Sequence, residues 1–118
     1  MSLRKYFLVA SIFLVGCTST AIDPEIVKQK HNVVIDDYVR CLKHFVGMVD
    51  DGTSDPASIA FALNSACSVQ YDAITKFWCD YEAQNYSQCK MMKFHRSGID
   101  ARVQSAIPAV IVHRKNNK

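Results

Sequence analysis

The stretch YVRCLKHFVGMVDDGTSDPASIAFALNSAC, residues 38–67, sets two apolar-periodic runs on either side of a dense turn signal, with a cysteine in each run. Within Asp50-Asp51-Gly52-Thr53-Ser54-Asp55-Pro56, Gly52 is suited to end one helix, and Ser54 or Asp55 to cap the next, with Pro56 close to its first position. Cys41 lies 13 residues before Ser54 and Cys67 lies 13 after it. In an antiparallel helical hairpin, residues equidistant from the turn sit side by side. Helices about 8–10 Å apart, with Cα atoms about 2.3 Å off each axis, bring facing Cα atoms into the roughly 4.4–6.8 Å window that a disulfide requires. The spacing therefore predicts a helical hairpin closed by Cys41–Cys67.

Upstream, Val27, Val34, Tyr38, Cys41, Phe45 and Met48 recur mostly three or four apart, which writes one stripe along a first helix. Asp23 is a suitable cap for it and Pro24 suits its first turn. Downstream, Ile59, Leu63, Cys67, Ile74, Trp78 and Tyr81 write a second helix, in which Ala60, Ala62 and Ala66 raise propensity and permit close approach. Asn85-Tyr86-Ser87 marks a weaker turn. Cys89, Met92, Ile99, Val103 and Ile107 then continue the pattern, with Gly98 a soft point and Pro108 a kink or stop. Residues 109–112 fit a bent helix or a strand equally well, and His113 to Lys118 read as a frayed basic tail.

Cys79 and Cys89 each lie five residues from Gln84, so the second turn predicts the pair Cys79–Cys89. Cys67 and Cys79 stand 12 residues apart on one predicted helix. That is about 18 Å along its axis, so pairing them would break it. Closing the longer loop contributes roughly 3–3.5 kcal/mol in the chain-entropy account. The expected fold class is all-α: a three-helix antiparallel bundle or hairpin stapled by two disulfides.

Residues 1–16 carry the plan of a cleaved secretory signal. Arg4 and Lys5 form a basic head, Tyr6 to Val15 an apolar stretch, and Gly16 precedes Cys17. The apolar stretch is well short of the roughly 20 residues that a spanning helix needs. Leu14-Val15-Gly16-Cys17 resembles the lipobox of bacterial lipoproteins. That resemblance implies cleavage before Cys17, lipidation of its sulfur and amine, and residues 17–23 as a lipidated tether. Thr18, where an Asp is associated with inner-membrane retention, implies the periplasmic face of the outer membrane. The remaining 102 residues suffice for one domain, expected over 24–112 with the tail at 113–118. Export also places the cysteines where disulfides persist.

The chain carries a net charge of +3, unevenly distributed. From Thr18 to Asn85 five cations oppose ten acids; from Tyr86 to Lys118 seven oppose Asp100 alone. The two regions attract each other within the fold, or the basic segment meets an anionic partner. Catalytic signals are thin. His31, His44, His95 and His113 are scattered, with no His-x3-His or Cys-x2-Cys pair, so neither an enzyme nor a metal site is expected, and no cofactor. Nucleic acid is not an expected partner, because no binding motif is present. Phe77 and Trp78 point about 100° apart on a helix, so a three-helix bundle hardly buries both. With Tyr81, and with Lys90, Lys93 and Arg96 of the basic segment, they form the candidate partner-binding set, core packing being the alternative role of the aromatic residues. Met91-Met92 beside Phe94 extends it.

In size, anchor, helical content and disulfide use the chain resembles the pilotins of type II secretion, which escort a secretin subunit to the outer membrane. The likeness is one of architecture and assigns no residues. Residues 38–67 also resemble small helical secreted proteobacterial proteins with a paired-cysteine hairpin. Together these imply a protein-binding accessory or assembly factor, joined to the membrane by its lipid. The alternatives are a surface-protection lipoprotein, acting as an exclusion factor or enzyme inhibitor, and an envelope- or lipid-binding module.

Overall fold

A computed structural model describes residues 22–118. The signal segment, Cys17 and most of the tether lie outside the described residues. Those described form five α-helices and no strand: α1 (Pro24–Val49), α2 (Pro56–Ala66), α3 (Ser68–Phe77), α4 (Tyr86–Arg96) and α5 (Ile99–Asn116). A π-helical turn, Trp78–Glu82, extends α3. The all-α class and both staples are present: Cys41–Cys67 with Cα atoms 5.9 Å apart, and Cys79–Cys89 with Cα atoms 4.8 Å apart.

The caps follow the side chains. The Asp23 carboxylate accepts from the Glu25 amide, and Asp55, rather than Ser54, accepts from the Ala57 and Ser58 amides. Asn85 caps α4 by accepting from the Gln88 amide at 2.8 Å. Between α1 and α2, Gly52 takes a φ of +74°, which an L side chain adopts only with strain. Asp51 accepts from the Thr53 and Ser54 amides and the Ser54 hydroxyl, and these bonds hold its carboxyl well below the ordinary range.

Each of the second and third predicted helices is broken in two. The first break falls at Cys67 (φ −108°, ψ 22°), the residue that the disulfide ties to α1. No Gly or Pro marks it. The bend lets α2 pack along α5 and α1, while α3 runs antiparallel to α1. The second break falls at Ser97 and Gly98, where Gly98 is extended (ψ 149°) and precedes α5.

The core joins Tyr38, Leu42 and Val46 of α1 to Ile59, Ala60 and Leu63 of α2, with Cys67, Tyr71, Ile74, Ala106 and Val110. The α1 stripe is therefore turned from the expected one by about a residue. Met48 is 64% exposed, while Leu42 and Val46 are buried. In the last segment Val103 and Ile107 pack partly buried against the core, as expected, while Ile99 is exposed and Ala106 and Val110 are buried. Two tyrosines close the core with hydroxyl bonds. Tyr38 meets Ser105 at 2.7 Å, and Tyr71 donates to the Arg96 carbonyl at 2.6 Å. Burial pushes the Tyr71 phenol up.

Of the alternatives open at the C-terminus, residues 109–112 are helical and Pro108 does not stop α5. Nor are residues 113–118 a frayed tail, since α5 continues to Asn116 and is fastened there. The Arg114 guanidinium grips both Asp50 carboxylate oxygens, with contacts from 2.7 to 3.2 Å, and donates to the Ser54 carbonyl at 2.6 Å. Asp50 has almost no exposed side-chain surface, so this bidentate pair closes the α1–α2 turn over the end of α5. It also holds the Asp50 carboxyl below its ordinary value and the guanidinium above its own.

Candidate functional site

The antiparallel register of α1 and α3 lines up Tyr38 with Tyr71, His31 with Phe77, and Lys30 with Tyr81. At its open end the two helices leave a cleft of about 490 Å³ lined by Ile26, Val33, Val34, Ala73, Phe77 and Tyr81. Tyr81 stacks on Phe77 at 4.9 Å between ring centroids, and the His31 ring tilts onto Phe77 from the far side at 5.4 Å. The Lys30 ammonium donates to the Tyr81 hydroxyl at 2.7 Å, fixing the ring at the cleft mouth. On the rim Lys76 pairs with Asp80, which raises the lysine pKa. The result is a greasy trough with a polar edge, open to solvent. Ile26 and Val33, seven residues apart on α1, line it and are each about half exposed.

The expected partner-binding set is divided between two places. Phe77 is buried and forms the floor of the cleft; it is not an exposed anchor. Tyr81 is half-buried at the mouth. Trp78 points elsewhere, half-buried against the core and covered by the Arg96 guanidinium, 3.8 Å from its ring centroid. Arg96 also lies 3.9 Å from Glu82, so it serves the fold and does not present a free cation. Lys90 and Lys93 are exposed on α4, Lys93 at the edge towards α3, and form no ion pair among the described residues.

Three ion pairs link the basic segment to the acidic one. Arg114 meets Asp50, Arg102 meets Asp72 at 2.6 Å, and Arg96 meets Glu82. Internal attraction thus absorbs much of the charge asymmetry. Among the described residues no group of three His, Cys, Asp or Glu side chains is placed to hold a metal ion, and no helix is long and apolar enough to cross a membrane.

Ile26, Lys30 and Val33 were not among the expected site residues. Their signal was a second apolar pair beside the main α1 stripe, spaced by seven and interrupted by lysine. Tyr86 was read only as part of a turn, yet it and Phe94 are the most exposed large hydrophobic side chains described. By fold and site the chain is an all-α domain, stapled twice, with an apolar interhelical cleft. No protein-family model, curated protein or solved structure matches it.

Proposed function

We propose that this chain is a lipid-anchored protein of the bacterial envelope, attached through Cys17 to the periplasmic face of the outer membrane, and that it acts without catalysis as an accessory or assembly factor in the manner of a pilotin. Its domain binds an amphipathic helix of a protein partner. The observation that carries this reading is the cleft between α1 and α3. It is apolar, long in the helix direction and bordered by Ile26 and Val33 at turn spacing, which suits the i, i+3, i+4, i+7 anchors of a helix laid in a groove. The two disulfides accord with an oxidising compartment.

Two measurements test it. Intact mass of the protein extracted from membranes is expected to show cleavage before Cys17 and added acyl mass, both absent in Cys17→Ser. A photo-crosslinking residue at Val33 is expected to yield one discrete adduct in intact cells, whose mapped peptide is an amphipathic helix. The same residue at Val69, exposed on α3 outside the cleft, yields none. Ile26→Asp is expected to abolish the Val33 adduct without unfolding the domain. Identical products from Val33 and Val69 overturn the cleft as the binding site.

A further inference from the structure

We infer that the outer face of α4 is a docking surface for an anionic phospholipid bilayer. α4 is fastened to the domain from its inner side: Cys89 is bridged to Cys79, the Arg96 guanidinium covers Trp78, and the Tyr71 hydroxyl donates to the Arg96 carbonyl. None of its side chains is buried. Away from that side Tyr86, Lys90 and Phe94 follow at four-residue intervals, so they stand one above another, with Met91 on one flank and Lys93, exposed at the edge towards α3, on the other. Tyr86 is 81% exposed and Phe94 80%. Lys90 and Lys93 are the exposed unpaired cations of α4, which itself holds no acid, so the charge that this helix presents outward is positive.

This combination fits a membrane interface better than a protein. Aromatic and methionine side chains sink into the boundary between headgroups and acyl chains, while lysine stems lie along them and lift the ammonium to the phosphates. Tyr86 and Phe94 stand on the outer side of a helix, and neither borders the α1–α3 cleft. A fluid bilayer conforms to such a surface.

The orientation follows from the register. Because α3 runs antiparallel to α1, the turn that launches α4 lies at the end of the domain where α1 begins. The six residues 18–23 span at most about 20 Å. A lipid on Cys17 therefore holds that end near the bilayer. This orientation rests on the anchoring proposed above; the affinity of the α4 face for lipid does not.

The test uses the full chain with Phe94→Trp as a fluorescent reporter, titrated with vesicles of phosphatidylcholine alone or mixed with phosphatidylglycerol. The expected result is a blue-shifted emission and tighter partitioning on the anionic vesicles. Each lysine near such a surface is worth about fivefold in partitioning. Reversing both, as Lys90→Glu with Lys93→Glu, is therefore expected to lower anionic partitioning at least tenfold, while Phe61→Ser on α2 leaves it unchanged. An acyl anchor enters both vesicle types alike, so it does not produce the difference between them, and charge reversal on α4 assigns that difference. Acyl mass on Cys17 with equal emission on the two vesicles overturns the docking surface and leaves the anchor standing. A preference for anionic vesicles without acyl mass does the reverse. A preference that survives charge reversal, or an acidic helical peptide that shifts the reporter as strongly as the vesicles do, also overturns the assignment.

Discussion

Leu63 is wholly excluded from solvent within the cluster that joins α1, α2, α3 and α5, whereas Met48, expected on the core stripe, has 64% of its surface exposed. Leu63→Ala is accordingly expected to lower stability by about 2–5 kcal/mol, through lost transfer energy and the cavity left behind. Met48→Ala is expected to change it by no more than about 0.5 kcal/mol. Urea denaturation of the two variants checks both values. The sequence could not separate these roles, because Phe45, Val46, Met48 and Val49 are all apolar and a helix can bury any adjoining part of such a run. Only the neighbour decides. Asp50 carries a further residue-scale expectation. Its carboxyl sits below the ordinary value of 3.8 in the folded chain, chiefly through its bonds to Arg114, so folding favours the ionised form. That contribution is complete above about pH 5 and is lost as pH falls through 3.8 and below. Arg114→Gln is therefore expected to reduce the loss of thermal stability between pH 5 and pH 3, measured by circular dichroism, relative to the parent chain.

Among the described α-helices, α4 differs from the rest in burying no side chain. Its attachment depends on Cys79–Cys89, on Arg96 over Trp78 and on the Tyr71 hydroxyl. Replacing Cys79 and Cys89 together by Ser is expected to speed amide exchange throughout residues 86–96 while the amides of α1 and α2 keep their protection. Replacing Cys41 and Cys67 by Ser strikes the core itself, since Cys67 is fully buried, and is expected to cost about 2–5 kcal/mol of global stability. Exchange monitored by mass spectrometry distinguishes a local release from a global one. Both pairings were legible in the sequence, because distance from a turn translates directly into position along a hairpin. The break at Cys67 was not, whereas Gly98 marked the one that follows Ser97. Ala66-Cys67-Ser68 is an acceptable helical sequence, and the bend there accompanies the packing of α2 on α5 and of α3 on α1. Of the kink or stop that Pro108 signals, the stop does not occur. The proline ring faces solvent, and α5 continues past the missing N–H.

At the scale of the whole molecule, the acidic first half and basic last third are brought together by three ion pairs, of which the grip of Arg114 on Asp50 is the most enclosed. Deleting residues 113–118, which sequence composition marks as a dispensable tail, is therefore expected to lower Tm, and Arg114→Ala alone to reproduce most of the drop. Lys115→Ala and Lys118→Ala, both exposed, leave Tm unchanged. Differential scanning calorimetry of the four variants decides it. The charge imbalance was readable from composition, but which cations serve the fold was not. Arg96 and Lys93 stand three residues apart with equal charge, and only the helix phase sends one onto Trp78 and the other to solvent. The candidate cleft was half legible for the same reason: Phe77 and Tyr81 stood out by type, while Ile26 and Val33 acquired meaning only once α3 lay beside them. The two bridges also have a consequence for biogenesis. They join consecutive cysteines, Cys41 to Cys67 and then Cys79 to Cys89, so their loops follow one another without overlap. Among these four cysteines, oxidation in chain order would join each to its native mate, so their connectivity would need no reshuffling by an isomerase.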